Sequence, residues 1–238
     1  MRYIPKNISK RRLVAMIING KDISKINYSH ITDMSYMFKD CKNLKTIPQL
    51  DTSNVVDMTG MFTNCESLLN IPFLNTSNVT NMDDMFYKCY SLKTIPELDM
   101  NNVISIRSMF CYCTNLEVLP NLNTNKVDTM RSTFFNCYNL KHINSINISN
   151  CRILIQTFHN VKSVKITKLY GLPSPVTTLY KMFNNAEYYF NTFGLMRSVE
   201  ILSSVKEYDH FKQKTIQLYN KEDIFELIET ELLKRTNY

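Results

Sequence analysis

A 24-residue unit is repeated along most of this chain, and it constrains the possible folds more than any other feature. The stretch NVVDMTGMFTNCESLLNIPFLNTS, residues 54–77, returns as NVTNMDDMFYKCYSLKTIPELDMN, residues 78–101. A fixed period in this range is typical of a solenoid, in which no unit buries its apolar face alone and stacked neighbours close the core. Six units begin in phase and a seventh is shifted by one residue: Ser29, Ser53, Ser77, Asn101, Asn125, Ser149 and Ser174.

Two spacings alternate within each unit and predict one short helix and one short strand. In residues 58–68, Met, Phe, Cys and Leu follow the i, i+3, i+4, i+7 and i+10 spacing of one helix face. The residues that follow, LLNIPFLNTSN, predict an extended segment with a proline and a polar turn. The sequence therefore predicts an α/β solenoid of about seven short helix–strand coils.

One phenylalanine and, in the first five units, one cysteine recur at fixed positions. We expect both to line the interior of the stack, with each cysteine as a small apolar core residue. A metal site would need CxxC pairs or a Cys/His cluster, whereas the close cysteine pair here is Cys111 and Cys113. Metal or redox use of the cysteines is the alternative. The phenylalanines are Phe38, Phe62, Phe86, Phe110, Phe134, Phe158 and Phe183.

The repeat resembles the leucine-rich-repeat superfamily and, within it, the BspA-like bacterial surface repeats. The likeness rests on LDTSNVVDMTGMFTNCESLLNIP, residues 50–72, and it extends closely over residues 29–148 and loosely over 149–186. The resemblance implies a curved leucine-rich-repeat solenoid that binds other macromolecules, often at a cell surface. It brings no catalytic residue, because the residues of the motif are structural.

Three segments follow from where the repeat begins and decays. Residues 1–28 form an N-terminal helical cap, in which SKRRLVAMIING predicts a helix that stops at Asn19-Gly20. Residues 29–186 form the solenoid. Residues 187–238 form a C-terminal capping segment, in which KEDIFELIETELLKR predicts a terminal helix that packs on the last coil. A docking or dimerisation helix is the alternative for that segment.

Composition predicts a cytoplasmic protein. No stretch approaches the roughly 18 apolar residues of a membrane span, and the N-terminal LVAMII is too short for the apolar part of a signal peptide. Seven cysteines are an odd number, which favours reduced thiols over a disulfide framework. A secreted or cell-surface location is the alternative if a leader precedes this sequence.

Basic residues are concentrated in one block of the chain. Residues 125–186 carry eight Lys and Arg but one acidic residue, within a formal net charge of +7 for the whole chain. The position after the repeated Leu holds Lys45, Leu69, Lys93, Glu117 and Lys141, and we expect Lys165 to continue this exposed column. The predicted partner-binding residues are Lys93, Arg131, Lys141, Arg152, Lys162, Lys165 and Lys168.

A basic patch attracts anionic partners and speeds their association. The partner is predicted to be the acidic surface of another protein. Nucleic acid is the alternative partner for the block 125–186, where aromatic side chains are available for base stacking. A third interpretation is that lysine merely solvates the surface. The aromatic candidates are Phe135, Tyr138, Tyr170 and Tyr180.

No enzyme motif is present, and we expect no catalytic activity, cofactor, metal or small-molecule substrate. Four glycines leave no glycine-rich phosphate loop. A Cys-His nucleophile pair of Cys137 or Cys151 with His159 is conceivable, but we expect both thiols to be buried and inert. The predicted function is non-catalytic binding of a protein, for instance as an effector or a phage or mobile-element inhibitor of a host defence complex. A nucleic-acid binder and a cell-surface adhesin are the alternatives.

Overall fold

The structure, a computed structural model, describes residues 8–162, 164–170 and 188–190. The regular elements of these residues are α1 (Lys10–Ile18), β1 (His142–Asn147), β2 (Val164–Tyr170) and β3 (Tyr188–Phe190). The strands form one parallel sheet in the order β1-β2-β3. The predicted seventh unit from Ser174 and the predicted terminal helix over 221–235 lie outside the described residues, as does nearly all of the predicted capping segment 187–238.

The N-terminal helix predicted from SKRRLVAMIING is present as α1. Ser9 is its N-cap, and the Ser9 side chain accepts a hydrogen bond from the backbone amide of Arg12. After the C-cap at Asn19, the chain leaves the helix through Gly20, whose φ of 65° suits glycine. Leu13 and Ile17 are buried in the same core as the repeats, so α1 packs on the first coil.

Successive units stack through a ladder of four backbone hydrogen bonds per coil. Alternate amides of residues 58–64 donate to carbonyls of the next unit: Met58 N to Asn81 O at 3.1 Å, Gly60 N to Asp83 O at 2.7 Å, Phe62 N to Met85 O at 2.9 Å, and Asn64 N to Tyr87 O at 2.7 Å. The same four positions are bonded between every successive pair of coils, from residues 34–40 to residues 153–159. The 24-residue period is therefore the length of one coil of the stack.

The helix predicted within each unit is absent, and turns take its place. Between the amides that reach the next coil, the other amides bond three residues back within their own coil, as from Met61 N to Met58 O at 3.1 Å and from Cys65 N to Phe62 O at 3.0 Å. A helix would turn all of these amides inward and remove the ladder. Consecutive turns also return a side chain to the core every three or four positions, so their spacing imitates a helix face.

These turns require a left-handed backbone at two positions in each coil. In the second coil the positions are Gly60 (φ 58°) and Asn64 (φ 63°), which are residue types that adopt this conformation readily. In other coils Tyr36, Ser108 and Ser132 adopt it as well. The ladder therefore imposes a left-handed conformation that tyrosine and serine rarely adopt.

The ladder bonds all point the same way along the stack. In each of them the amide faces the next coil and the carbonyl faces the previous one. Other bonds between coils run the other way, such as Val56 N to Thr32 O and Leu69 N to Lys45 O, and they cancel part of the dipole of the four ladder peptides. At the carbonyl end, Lys10 Nζ of α1 donates to Ser35 O at 2.8 Å and lies 3.3 Å from Asp33 Oδ2. A cation thus lies where the summed dipole is negative.

The predicted interior columns are buried. From Phe38 to Phe158, each phenylalanine ring stacks on the next at a centroid distance of 5.2–5.7 Å with an interplanar angle of at most 14°. Each of these six rings is at most 1% exposed. The column of rings therefore joins six coils into one continuous core.

The strand predicted in each unit forms only late in the chain. We call the extended segment that follows the turns of each unit its row. In the second unit the row contains the buried residues Leu68, Ile71 and Leu74 and is not a strand. Strand β1 also buries one residue in three, so the burial spacing does not distinguish the two kinds of row. Pro72 follows Ile71, and proline has no amide to donate to a ladder and favours the polyproline conformation with three residues per turn. The first four rows carry such a proline, whereas the fifth has Asn144 in that place and is strand β1.

Candidate functional site

Two of the predicted binding lysines flank one carboxylate on the exposed rows. Lys141 Nζ lies 3.0 Å from Glu117 Oε2 in the preceding coil. The hydrogen bond and charge of Lys141, together with the charge of Lys93, lower the pKa of Glu117. The structure thus brings Lys93, Glu117 and Lys141 together in consecutive coils, and Glu117 partly neutralises the two lysines.

The two predicted binding arginines lie on the turn side of the coils. Arg152 Nη2 donates to Asp128 Oδ2 at 2.7 Å, and this contact lowers the pKa of Asp128. Arg152 is therefore paired with a carboxylate of the preceding coil. Arg131 is exposed and forms no ion pair within the part of the chain that the structure describes.

The last three predicted binding residues lie near β2. Lys162 Nζ is 5.7 Å from the centre of the Tyr138 ring, within range of a cation–π contact. Lys165 and Lys168 belong to β2, where their backbones are paired with His142 and Ser145 of β1. The prediction that Lys165 continues the column of Lys141 is wrong, because the offset between β1 and β2 is one residue shorter than the repeat. Of the seven predicted residues, Lys93 and Lys141 therefore share one column, and the others lie elsewhere on the coils.

Two of the four aromatic residues predicted for base stacking contact neighbouring side chains. The Phe135 ring stacks on His159 at 4.7 Å with an interplanar angle of 2°, and it also contacts Tyr112 at 5.6 Å. Tyr138 is the ring beneath Lys162. Tyr170 ends β2, and Tyr180 lies outside the described residues. Phe135 therefore has one of its ring faces covered already.

Exposed apolar side chains on the rows were missed by the charge-based prediction. Phe73 is 61% exposed, Val118 49% and Leu69 48%, and Phe73 is the most exposed large apolar residue among those that the structure describes. The sequence carried a signal for them: Leu69 stands where the neighbouring units have Lys, and Phe73 stands where they have Gln and Glu.

Leu69 and Phe73 lie on one row between two lysines. Leu69 N donates to Lys45 O at 2.9 Å, so the row of Lys45 adjoins that of Leu69 on one side. Lys93 occupies the same column one coil further on, and it is exposed. Between Leu69 and Phe73 stands Pro72, half-buried, which stiffens the row. We name Lys45, Leu69, Pro72, Phe73 and Lys93 the Leu69–Phe73 face.

Four of the five repeated cysteines are buried thiols with a hydrogen-bonding role that the sequence analysis missed, whereas Cys41 in the first coil is half-buried. From the second coil on, each Sγ donates to the carbonyl of the phenylalanine one coil earlier, as from Cys65 to Phe38 O at 3.1 Å and from Cys89 to Phe62 O at 3.2 Å. Burial raises the pKa of Cys65 to about 12 and raises that of Cys89 well above its usual value. A thiol held in this way is a poor nucleophile. Within the described residues, no group of His, Cys, Asp and Glu is placed to hold a metal ion.

Comparison with known families identifies the repeats. The sequence matches the family described as "Mycoplasma protein of unknown function, DUF285" in three overlapping segments, residues 9–118, 91–195 and 115–218. The chain belongs to the DUF285 family. Each DUF285 match spans several 24-residue coils, and the first begins at the N-cap of α1.

No curated protein and no solved structure matches this DUF285 chain. Among the described residues, no helix is long and apolar enough to span a membrane, since α1 has 9 residues.

Proposed function

We propose that this DUF285 chain is a non-catalytic repeat protein of the BspA-like, leucine-rich type, whose coils form a solenoid that binds another protein. The ladder of four hydrogen bonds per coil and the stacked phenylalanine rings support a rigid scaffold. Rigid repeats present extended surfaces on which adjacent rows supply the contacts. The buried, protonated thiols support a scaffold role for the repeated cysteines over a catalytic one.

The observation that carries this proposal is the Leu69–Phe73 face. Protein interfaces centre on a few apolar or aromatic anchors surrounded by a polar rim. Here Phe73 and Leu69 are the anchors, and Lys45 and Lys93 are the rim. The complementary partner offers an apolar pocket for Phe73 and carboxylates beside it. Because Pro72 already restricts the backbone of the row, little conformational freedom is lost on binding.

The test compares capture of a partner by matched variants. The tagged chain, the double variant Leu69→Ser/Phe73→Ser and the control Val56→Ser/Ile104→Ser are each used to capture proteins from native lysate with and without nuclease. Val56 and Ile104 are also exposed apolar residues, but they lie in another column of the coils. We expect one stoichiometric protein that survives nuclease, is retained by the control and is lost with the double variant. Equal capture by both variants would contradict the assignment of the face.

Nucleic acid is a second candidate partner, and the exposed Arg131 favours it. An interaction with phosphates weakens steeply as salt is added, because bound counterions are released. Capture that disappears with nuclease would favour this candidate over a protein partner. So would capture that is lost on charge reversal at Lys141, Lys162 and Lys165 but is retained by the Leu69→Ser/Phe73→Ser variant.

We propose a cytoplasmic location, and the observation that supports it is that none of the seven cysteines is in a disulfide in the structure. Quantifying thiols in denatured protein taken directly from cells tests this placement. Seven reactive thiols are expected from a reducing compartment, and paired cysteines would favour a secreted or surface location.

A further inference from the structure

A polar cleft of about 470 Å³ lies between the fourth and fifth rows. Its walls combine asparagine side chains with Ser145 and Thr124, and none of the described residues that line it is charged. Clefts of this volume are large enough to hold a small molecule. The asparagines are Asn121, Asn123, Asn125 and Asn147.

The cleft lies where the two kinds of row meet. The fourth row contains Pro120, whereas the fifth is strand β1. The rows are bridged at one end by the pairing of Val118 with His142. At the other end Thr124 Oγ1 donates to Asn147 O at 2.9 Å and accepts from Asn147 N at 2.8 Å. The cleft lies beside these contacts and is lined by residues of both rows.

Two asparagines of the cleft keep unused hydrogen-bond donors. Asn121 Oδ1 accepts from Ser145 Oγ at 2.6 Å, and Asn125 Oδ1 accepts from Asn147 Nδ2 at 2.7 Å. Neither the Asn121 Nδ2 nor the Asn125 Nδ2 donates to any residue that the structure describes. The internal bonds therefore hold the carboxamides in place, while their amide hydrogens remain available to a ligand.

The lining decides the class of ligand. An ionic ligand would find no opposite charge, and an apolar one would leave the amides without partners. A flexible peptide loses backbone freedom at each residue that it fixes, and this cleft offers little apolar surface in compensation, since Leu122 is buried. A sugar ring presents several hydroxyls in a rigid arrangement. We propose that the cleft binds a neutral mono- or disaccharide through the carboxamides of Asn121 and Asn125 and the hydroxyl of Ser145.

Binding is expected to be weak, because a few neutral hydrogen bonds exchanged with water supply it. The dissociation constant is expected on the order of 1 mM. This site is independent of the Leu69–Phe73 face, so either proposal can fail while the other holds.

The test uses nuclear magnetic resonance of the whole 15N-labelled chain. Maltose and N,N′-diacetylchitobiose are titrated separately to about 50 mM, well above the expected dissociation constant. Acetyl-trialanine-amide serves as a neutral peptide probe. We expect saturable shifts of the side-chain amides of Asn121 and Asn125 with at least one disaccharide and none with the peptide.

Matched variants locate the site. Asn121→Asp keeps the shape of the side chain but removes its amide donors, and Asn43→Asp makes the same change at an exposed position outside the cleft. We expect at least tenfold weaker binding for Asn121→Asp and unchanged binding for Asn43→Asp. Ser145→Ala is a second cleft variant, with the same loss expected, for use if Asn121→Asp lowers the melting temperature.

The proposal is overturned if neither disaccharide produces saturable shifts, if Asn121→Asp and Ser145→Ala both bind as the unsubstituted chain does, or if the peptide binds and the sugars do not.

Discussion

The proline-bearing rows of the first four units and the strands β1 and β2 that follow are built on the same repeat, yet they differ in backbone. Where Pro48, Pro72, Pro96 and Pro120 stand, the row is extended without a ladder, and where Asn144 stands it is a strand. Proline cannot donate, so it excludes continuous pairing between rows. One position per unit therefore decides whether the rows pair as strands in addition to the turn ladder.

The difference also separates the two candidate surfaces. The Leu69–Phe73 face lies on proline rows, which are joined by single bonds such as Leu69 N to Lys45 O and not by a continuous strand ladder. The asparagine-lined cleft lies at the junction, where Pro120 faces β1. The turn ladder and the phenylalanine column continue through both regions and are common to them.

The largest expected effect tests whether the two regions share one core. Phe86 packs between Phe62 and Phe110 with ring centres 5.5 and 5.6 Å away, and Phe134 is buried in the same column. Phe86→Ala and Phe134→Ala should each lower the free energy of unfolding by about 3–5 kcal/mol, because each leaves a cavity. Urea denaturation followed by circular dichroism measures both.

Phe73→Ala is the matched control, since it removes an exposed ring from the same kind of residue. Its expected change is within about 0.5 kcal/mol. A large loss for Phe73→Ala, or a small one for Phe86→Ala, would show that the inside and outside of the coil are assigned wrongly.

The second prediction exchanges the residue that distinguishes the two regions. Asn144→Pro places a proline inside β1 and should cost about 2 kcal/mol. The reverse change, Pro96→Asn, should cost about 0.5–1 kcal/mol, because it mainly frees the unfolded chain. Thermal unfolding of both variants measures the asymmetry. Equal losses would mean that the proline does not decide between row and strand.

The third prediction concerns how the free energy of unfolding depends on pH. It compares a coil that carries the repeated cysteine with the sixth coil, which has Val161 at that position. Burial raises the pKa of the Cys89 thiol in the folded chain, so the folded state retains a proton that the unfolded state loses above about pH 8.5. The stabilising contribution is complete below that pH and is lost as the pH rises. The free energy of unfolding should then fall by about 1.4 kcal/mol per pH unit for each such thiol.

Denaturant unfolding between pH 7 and pH 10 tests this dependence on pH. Cys89→Ala should reduce the slope against pH, whereas Val161→Ala should lower stability at every pH without changing the slope. An unchanged slope in Cys89→Ala would contradict the assignment.

The smallest effect concerns the carbonyl end of the ladder. Lys10→Met removes the cation that bonds to Ser35 O and pairs with Asp33, and it should cost about 1 kcal/mol, less at high salt. Lys21→Met, just beyond α1, is the control and should change nothing measurable. Hydrogen exchange of the first coil measures both. Equal protection in the two variants would argue against a role of the summed dipole.

Much of the core was predictable from the sequence. The 24-residue period, the buried phenylalanine column and α1 follow from residue spacing and capping residues, which act locally or repeat without change. The helix within each unit was not predictable, because residues 58–68 have the same apolar spacing whether their amides bond within the coil or to the next one. That choice depends on the presence of a neighbouring coil.

The binding residues show the same division. The sequence shows that Lys141 and Arg152 are basic and that acidic residues are present. That Lys141 pairs with Glu117, and Arg152 with Asp128, follows only from stacking one coil on the next. By contrast, the burial of Phe86 and the exposure of Phe73, which are 0% and 61% exposed, follow their positions in the repeat, and the sequence already distinguishes those positions. Spacing along the chain determines which residues recur and which of them are buried, whereas the neighbouring coils determine which amides bond between coils and which charges are paired, because those contacts exist only once the coils are stacked.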